Sequence, residues 1–458
     1  MIKQNIFREY DLRGIYKDEI SEEDAYTIGR SFGTYISNMG ETSTVIGHDN
    51  RLSSPSLTEK LIKGITDTGV DVYNLGLVTT PMYYFMRGIK CLKSNTGIMV
   101  TASHNPKEYN GFKMAFTKEG NAYGQFIREF RDFTNEGNFK TGNGIVKDVN
   151  FKEEYLNELV NSIDLGDRKV KVVYDCGNGT GSIIIKDILD RIPNIEYQLL
   201  YCDSDGNFPN HHPDPSVHSN LVDLGKRVKE LNYDIGIGID GDVDRVGIVD
   251  EDGNPIDTDL FMIIMYRYLN KNLKTRKGLF DVKCSKALID ELIKLDIEPV
   301  MYRTGNSYSN MMMQKGNFDF GGEYSGHLFF RDKFLGYDDG IYAGLRMIEV
   351  LSHTNKKVSE LLEGINKYYS TEEIKIPVSD DIKNDIVDKV KDYSINKGYR
   401  FKDIDGVRIE FDDSWALIRV SNTSPNLTAR FEANNEVRLK EIQDEFINLI
   451  NGLLNNAN

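Results

Sequence analysis

Three segments of this chain share one pattern: a short β-rich run that ends in aspartate and is followed by a polar turn. They are residues 44–49 (TVIGHD), 171–175 (KVVYD) and 278–281 (GLFD). Downstream of each, a second β-rich run leads into an unusual polar loop, at residues 97–106, 234–245 and 319–327. Together with helical stretches such as residues 182–192, the pattern predicts α/β units with a mainly parallel sheet. A chance likeness between unrelated α/β units is the alternative to a true repeat.

The C-terminal part of the chain has a different pattern. Strand-like runs at residues 371–376, 407–411 and 414–420, with a helical stretch at 380–396, predict an α+β domain. A chain of 458 residues is too long for one hydrophobic core, which indicates three or four domains. Loops at the carboxyl ends of parallel strands are where α/β folds bind ligands.

The charge of the chain excludes several classes of partner. The formal net charge is −15, which disfavours nucleic acid and anionic membranes, since both require phosphate neutralisation. No window approaches the roughly 20 apolar residues of a membrane-spanning helix, and residues 1–17 contain no apolar signal-peptide region. The four cysteines form no C-x-x-C pair, so we expect neither zinc nor disulfides, and a cytoplasmic location.

The first polar loop, residues 101–106 (TASHNP), follows an apolar run and contains a proline that favours extended backbone before it. We expect a strand to end here and to leave Ser103 exposed beside His104 and Asn105. A surface turn is the alternative, because serine and asparagine favour turns. A serine hydrolase is disfavoured, because no G-x-S-x-G sequence surrounds Ser103 and His104 is badly placed to act as its base.

The second loop, residues 240–245 (DGDVDR), places Asp240, Asp242 and Asp244 at alternate positions. Three carboxylates in a glycine-containing loop are typical of a Mg²⁺ or Ca²⁺ site. The EF-hand spacing is nearly matched, but Arg245 replaces the required glycine and the flanks predict strands. A dinucleotide loop is excluded, because the aspartates would repel a pyrophosphate. The sequence therefore predicts a divalent-metal site.

The third loop, residues 321–327 (GGEYSGH), holds a carboxylate and a hydroxyl two positions apart, on Glu323 and Ser325. On extended backbone these side chains point to the same side, where they can hydrogen-bond adjacent hydroxyls of a sugar. An ordinary glycine-rich connection explains the same residues equally well.

The fourth loop, residues 419–425 (RVSNTSP), combines Arg419 with hydroxyl side chains and a predicted turn. Arginine binds phosphate through paired hydrogen bonds, and turns present N–H groups to anions, so the loop suits a phosphate. A polar turn beside a surface arginine is the alternative. The chain contains no G-x-x-x-x-G-K-[ST] motif, which disfavours a P-loop kinase.

Together and in this order, the four loops resemble the α-D-phosphohexomutase superfamily, in particular its bacterial phosphomannomutase/phosphoglucomutase branch. The resemblance extends over essentially the whole chain and includes stretches at residues 7–16 (FREYDLRGIY), 110–113 (NGFK), 208–215 (FPNHHPDP), 334–342 (FLGYDDGIY) and 419–432. It implies an α/β protein of four domains around a central cleft. The first three domains would share one α/β topology with mixed, mainly parallel sheets, and the fourth would be α+β.

The implied domains each contribute one loop to the cleft. Residues 1–148 would carry a phosphoserine loop, residues 149–254 a metal-binding loop, residues 255–368 a sugar-binding loop and residues 369–458 a phosphate-binding loop. The resemblance implies a mutase that interconverts hexose 1-phosphate and hexose 6-phosphate, of mannose or glucose. Ser103 would carry the phosphoryl group, and a hexose 1,6-bisphosphate would be intermediate and activator.

The resemblance also implies roles for single residues. The Mg²⁺ ligands would be Ser103, through its phosphate, with Asp240, Asp242 and Asp244. The other catalytic residues would be Arg13, His104, Lys113 and Arg245, with Lys113 as acid/base or charge stabiliser. The substrate-binding residues would be Lys283, Glu323, Ser325, His327, Arg419, Ser421, Asn422 and Thr423.

One departure from the family pattern bears on the substrate. Asn306 stands where this branch commonly has histidine, and the lysine-rich run that often follows is replaced by residues 308–313 (YSNMMM). One cationic contact to the phosphosugar is therefore expected to be lost. The expected partner is a phosphosugar, without nucleic acid or membrane, and the expected state a monomer, with a dimer as the alternative.

Two other functions compete with this interpretation. A phosphoglucosamine mutase tends to have glutamine where this chain has Tyr324, and residues 208–215 favour the mannose/glucose branch. A non-catalytic sugar-phosphate or cation-binding protein could keep the same fold. Phosphorylation of Ser103 separates the enzyme from the binding protein.

Overall fold

The structure is a computed structural model that describes residues 2–88, 92, 94–421 and 425–457. Its strands are β1 (Leu12–Ile15), β2 (Ser43–His48), β3 (Asp71–Leu77), β4 (Gly97–Val100), β5 (Tyr109–Ala115), β6 (Val146–Asp148), β7 (Val170–Asp175), β8 (Ile195–Leu200), β9 (Ile235–Ile239), β10 (Val246–Val249), β11 (Pro255–Ile256), β12 (Lys277–Asp281), β13 (Glu298–Tyr302), β14 (Phe320–Gly322), β15 (Leu328–Phe330), β16 (Tyr369–Ser370), β17 (Ile374–Pro377), β18 (Arg400–Lys402), β19 (Val407–Glu410), β20 (Ser414–Val420) and β21 (Asn426–Ala433).

The helices connect these strands. They are α1 (Glu22–Asn38), α2 (Ser54–Thr66), α3 (Thr80–Gly88), α4 (Gln125–Glu136), α5 (Lys152–Asn161), α6 (Ile185–Leu189), α7 (Val222–Leu231), α8 (Thr258–Leu269), α9 (Lys286–Lys294), α10 (Asn306–Lys315), α11 (Gly340–Ser352), α12 (Val358–Leu361), α13 (Lys383–Asn396) and α14 (Glu436–Ala457). Short 3₁₀ helices lie at Gln4–Ile6, Thr180–Ile183 and His218–Leu221. None of the described helices is long and apolar enough to cross a membrane.

The strands form four sheets, one per domain, and the first three repeat one arrangement. A central strand (β2, β7 or β12) pairs in parallel with the next strand in sequence on one side. On its other side it pairs in parallel with the third strand (β4, β9 or β14). That third strand then turns back into an antiparallel fourth strand. The repeat and the mixed sheets predicted from the sequence are confirmed.

The repeat places the polar loops at equivalent positions. Residues 101–108, 240–245 and 323–327 each connect the third strand to the antiparallel fourth, at the carboxyl end of the parallel strands. The aspartates noted in the sequence also correspond, because Asp175 and Asp281 end their central strands and Asp49 directly follows β2. One edge of each sheet therefore supplies one loop to a shared site.

The fourth domain is an antiparallel sheet with α13 and α14 packed against it, which confirms the α+β prediction. Its inward face is apolar, with Ala416, Ile418 and Phe431 fully buried, as strand alternation requires. The strand expected at residues 371–376 is β17, which begins at Ile374, and the short strand β16 precedes it. The helix expected at residues 182–192 is shorter, a 3₁₀ turn followed by α6.

One continuous apolar core extends through parts of the first three domains, and the first and fourth domains each have a separate core of their own. Helix α11 is buried along its whole length, and a side-chain carbon at Gly344 would lie 2.9 Å from Ile237 of the second domain. Full burial of one large apolar side chain contributes about 1.5–3 kcal/mol. The first three domains are thus fixed to one another by packing, and the fourth joins the shared core through Trp415 and Leu417.

Candidate active site

The loops of the four domains meet at one cleft of about 410 Å³. The predicted residues that line it are Arg13, Ser103, His104, Lys113, Asp244, Arg245, Lys283, Glu323, Ser325, His327, Arg419 and Ser421. Asp240 and Asp242 are buried behind this lining, in contact with Ser103 and Lys113. Asn422 and Thr423, also predicted, lie outside the described residues.

Ser103 lies in the loop after β4 and is buried, with 3% of its surface exposed, so the expectation of an exposed serine is wrong. Its backbone is left-handed, with φ 51°, and its N–H donates to Thr101 Oγ1 at 2.9 Å. The hydroxyl donates to Asp240 Oδ2 at 2.8 Å and lies 3.3 Å from His104 Nδ1. The turn thus directs the hydroxyl toward residues 240–245, the predicted metal-binding loop of the second domain.

Arg51, which the sequence did not single out, fixes the serine loop from behind. Its guanidinium is fully buried and donates to the carbonyl oxygens of Ser103 at 2.8 Å and of Asn105 and Pro106 at 2.6 Å. Asp49, at the end of the central strand, balances its charge at 3.2 Å. The sequence did contain a signal for Arg51, which was Asp49. An aspartate that recurs at the ends of three strands needs a partner of opposite charge.

Asp240, Asp242 and Asp244 form a fully buried triad whose carboxylate oxygens lie within 4.8 Å of one another. Lys113 donates to Asp242 Oδ2 at 2.7 Å and to Asp244 Oδ2 at 2.5 Å, and Thr80 donates to Asp242 Oδ2 at 2.7 Å. The Oδ1 atoms of Asp242 and Asp244 are buried without a hydrogen-bond partner among the described residues. Buried carboxylate oxygens of this kind fit a hard divalent cation.

The pKa values of the triad and of Lys113 depend on one another's charges. Burial and the neighbouring carboxylates raise the pKa of Asp240 well above its ordinary value. Burial would also raise the pKa of Asp242, but Lys113 outweighs it and lowers that pKa. Burial disfavours the ammonium of Lys113, yet Asp242 and Asp244 raise its pKa well above the usual range. Val243 between them has φ 78°, which is strained for a β-branched residue.

Basic groups cover the other side of Ser103. Arg245 donates from Nε to His327 Nε2 at 3.0 Å, and His327 Nδ1 lies 2.7 Å from Asp338. Arg13 donates to the Asn105 side chain at 2.8 Å. Burial and then the charges of Arg245 and Arg13 lower the pKa of His104 well below its usual value. His104 is therefore neutral at physiological pH.

The sugar-type loop of the third domain is a turn rather than an extended strand, since Gly326 has φ 99°. Glu323 and Ser325 still lie side by side, with Ser325 Oγ donating to Glu323 at 3.4 Å. Glu323 is 1% exposed and accepts from Ser309 Oγ at 2.6 Å and from the Gly305 N–H at 3.1 Å. Burial raises its pKa.

Carboxylates hold the cations on the side of the cleft formed by the third and fourth domains. Lys283 lies 3.0 Å from Glu373 of the fourth domain. Arg419 contacts Asp405 through Nε at 3.0 Å and Nη2 at 2.9 Å. Asp405 also accepts from the Thr304 N–H at 3.1 Å. In each pair, an anionic ligand would have to compete with the carboxylate for the cation.

Asn306 begins helix α10 and lines the cleft. Its amide nitrogen donates to Asp338 Oδ2 at 3.2 Å, the same carboxylate that contacts His327. The residue is neutral and partnered, so it adds no positive charge to the cleft.

Several contacting residues had no role assigned from the sequence. Two of them stand within family-like stretches, which was a usable signal: Asp338, and Tyr10, whose hydroxyl donates to the Thr304 carbonyl oxygen at 2.9 Å. Thr80, Glu373 and Asp405 stand in segments without a motif. Their positions follow from packing between domains, which a linear pattern does not report.

Four family models match successive parts of the chain. They are described as Phosphoglucomutase/phosphomannomutase alpha/beta/alpha domain I at residues 4–140, domain II at 153–253, domain III at 257–368, and the C-terminal domain at 373–449. The matches occur in the order of the four sheets and cover most of the chain.

Relatives with assigned names match this chain over nearly their whole length. A phosphomannomutase/phosphoglucomutase of Pseudomonas syringae pv. tomato is 37% identical over 97% of this chain and 95% of its own. A phosphoglucomutase of Neisseria meningitidis is 38% identical over 97% and 96%. The crystal structure of a phosphoglucomutase/phosphomannomutase family protein from Burkholderia thailandensis is 34% identical, with TM-score 0.91, over 99% of this chain and 98% of that one.

Proposed function

The chain belongs to the phosphoglucomutase/phosphomannomutase family within the α-D-phosphohexomutase superfamily, and on that premise we propose a role for each part of its cleft. The protein is a phosphohexomutase, an enzyme that interconverts hexose 1-phosphate and hexose 6-phosphate. The buried acidic triad is able to hold a metal ion. The proposal concerns the residues, the metal and the hexose.

Ser103 carries the phosphoryl group. The observation that supports this most is the hydroxyl of Ser103 at 2.8 Å from Asp240, inside a buried acidic triad. In the first transfer the bond between phosphorus and Ser103 Oγ breaks and a bond to a sugar hydroxyl oxygen forms. The proton of that hydroxyl replaces the phosphoryl group on Ser103. The second transfer reverses this at the other end of the sugar.

The metal would be Mg²⁺, and Asp240, Asp242 and Asp244 would hold it together with the phosphate of Ser103. Bound there, it would neutralise charge that develops on the transferring phosphoryl group. The unpartnered Oδ1 atoms of Asp242 and Asp244 support this assignment. Lys113, whose raised pKa keeps it protonated, acts as a charge stabiliser rather than as a base.

The remaining basic residues position the phosphoryl group and its acceptor. Arg13 and Arg245 line the cleft together with Ser103 and supply positive charge to the oxygens of the transferring phosphoryl group. His104 is neutral and lies 3.3 Å from Ser103 Oγ, so it can take the serine proton when the serine recovers its phosphate and pass it to the sugar oxygen that loses the phosphoryl group. His327 keeps Arg245 in place by accepting from its Nε.

The third and fourth domains bind the sugar and the phosphate that does not react. Glu323 and Ser325 read two adjacent hydroxyls and accept the bisphosphate in either orientation. Lys283, Arg419 and Ser421 contact the distal phosphate, together with Asn422 and Thr423. The substrate is mannose or glucose phosphate, with glucose 1,6-bisphosphate as activator and glucosamine phosphate as the alternative.

The test is the phosphorylation state of the purified protein. Intact-mass and peptide mass spectrometry, before and after incubation with glucose 1,6-bisphosphate and Mg²⁺, are expected to show one phosphoryl group on Ser103. The S103A variant, identical otherwise, is expected to show none and to have no mutase activity. A fully active protein without a phosphoryl group on Ser103 would refute the assignment.

The hexose is decided by turnover. Rates on glucose 1-phosphate, mannose 1-phosphate and glucosamine 1-phosphate are compared with Mg²⁺ and activator present. We expect glucose and mannose to be used and glucosamine to be poor. A preference for glucosamine 1-phosphate would select the alternative.

A further inference from the structure

The cationic side chains of the cleft differ in whether they already have a partner. Those with one are Arg13 with Asp11, Lys113 with Asp242 and Asp244, Arg245 with His327, Lys283 with Glu373, and Arg419 with Asp405. Lys375 also lines the cleft, is exposed, and makes no side-chain hydrogen bond or ion pair with any described residue. Among the cations that line the cleft, Lys375 is therefore the one whose charge no described residue compensates.

The sheet of the fourth domain places Lys375 near Arg419, the arginine of the predicted phosphate-binding loop. Lys375 on β17 stands opposite Thr428 on β21, and Thr428 stands opposite Arg419 on β20. Directly opposed residues of antiparallel strands project from the same face, about 4.8 Å from strand to strand. All three line the cleft. Two cations thus flank one hydroxyl across three adjacent strands.

We propose that Lys375 and Thr428 bind the non-reacting phosphate of the sugar substrate, beside Arg419. This deepens the proposed function and rests on it. The ammonium of Lys375 neutralises part of the phosphate dianion, and the hydroxyl of Thr428 donates to a phosphate oxygen.

The charges of the cleft explain why a further cation is needed. Arg419 is shared with Asp405, so a phosphate that binds there meets a competing carboxylate. Asn306 is neutral and partnered with Asp338. A lysine that has no side-chain partner in the described part of the chain attracts the anion without first losing one, in a protein whose net charge is −15.

The field of Lys375 already reaches the facing domain. The pKa of His212, in the second domain, is lowered mainly by burial, and the positive charge of Lys375 adds to that effect. Lys375, which lines the cleft, therefore lies close enough to the second domain for its charge to act there. A phosphate within this cleft lies in its field.

The test is substrate affinity in a K375Q variant with matched controls. K375Q is expected to raise KM for glucose 1-phosphate about fivefold to tenfold, with kcat within about twofold, because a partly exposed charge-assisted contact is lost. K375R is expected to restore KM. K397Q removes the same charge from the exposed residue that follows α13 in the same domain and should leave KM unchanged. T428V should raise KM about threefold.

A binding measurement separates this proposal from the proposed function. Calorimetry with glucose 6-phosphate is run on the wild-type protein, K375Q and K397Q, whether or not turnover is found. Weaker binding by K375Q alone supports the proposal even in an inactive protein. Equal affinity of all three proteins, or a loss of kcat with unchanged KM in K375Q, overturns it. Thermal unfolding confirms that each variant is folded.

Discussion

The cleft has two halves that differ in construction. The transfer half contains Ser103, Lys113 and the aspartate triad, and its groups contact one another directly while 6% exposed or less. In the binding half, Lys283 and Arg419 contact carboxylates of the protein that are not among the proposed metal ligands. The groups of the transfer half already contact one another as phosphoryl transfer requires. In the binding half, a bound anion would replace the protein carboxylates as the partner of the cations.

Backbone geometry shows the same difference. The transfer half holds two non-glycine residues in left-handed conformation, Ser103 and Val243. The binding half has glycine at such positions, Gly305 and Gly326. Strain at non-glycine residues costs roughly 1–3 kcal/mol each and persists only where the surroundings enforce it. The transfer loops are thus enforced by their contacts, which predicts that variants there lose activity most.

The largest expected effect is in the triad. D242N is expected to lower kcat by about 10³-fold or more, because it removes a metal ligand and the charge opposite Lys113. Steady-state kinetics and calorimetry of Mg²⁺ binding measure the two losses. D252N makes the same change in an exposed turn of the same domain and should behave as wild type. A D242N protein with near-normal turnover, or wild-type turnover in excess EDTA, would contradict the metal assignment.

A smaller effect is expected behind the serine loop. R51K keeps the charge beside Asp49 but cannot donate to several carbonyl oxygens at once. We expect kcat to fall about 10- to 100-fold and stability to fall by about 2–4 kcal/mol, with less phosphoserine formed. Kinetics, thermal unfolding and mass spectrometry measure these. R191K, at a more exposed pair with Glu153, is the control. Unchanged kcat in R51K would show that the loop needs no such support.

The smallest effect is expected in the binding half, at Glu373. Lys283 lowers the pKa of Glu373 to about 2, below its ordinary value of 4.5. The ionised pair therefore stabilises the fold above pH 4.5, and this contribution is lost as the pH falls toward 2. E373Q is expected to be about 1 kcal/mol less stable at pH 7, with the difference from wild type shrinking below pH 4.5.

Thermal unfolding from pH 7 to pH 3.5 follows that difference. E372Q, at the adjacent exposed carboxylate, should show no such pH dependence. Turnover of E373Q should stay within about threefold of wild type, because the carboxylate is a partner that substrate displaces. A loss of activity as large as that of D242N would remove the distinction between the two halves.

Much of this arrangement could be predicted from local sequence. The repeated strand pattern gave the topology, because a strand ending in a polar loop is encoded by neighbouring residues. The aspartates at residues 240–244 gave a metal site, because their spacing alone concentrates charge. The burial of Ser103 was not predictable, since the residues that contact its loop, Arg51 and Asp240, are distant in sequence from residues 103–106.

The sequence by itself determined which chemical groups the chain brings: a serine, three aspartates, a carboxylate–hydroxyl pair and a phosphate-type arginine, in four successive domains. The tertiary structure decided which of them meet and in what state of charge. Asp405 beside Arg419, and Lys375 without a side-chain partner among the described residues, follow from strand register and domain packing. Contacts of this kind join residues far apart in the chain, and their energies depend on burial that no local pattern specifies.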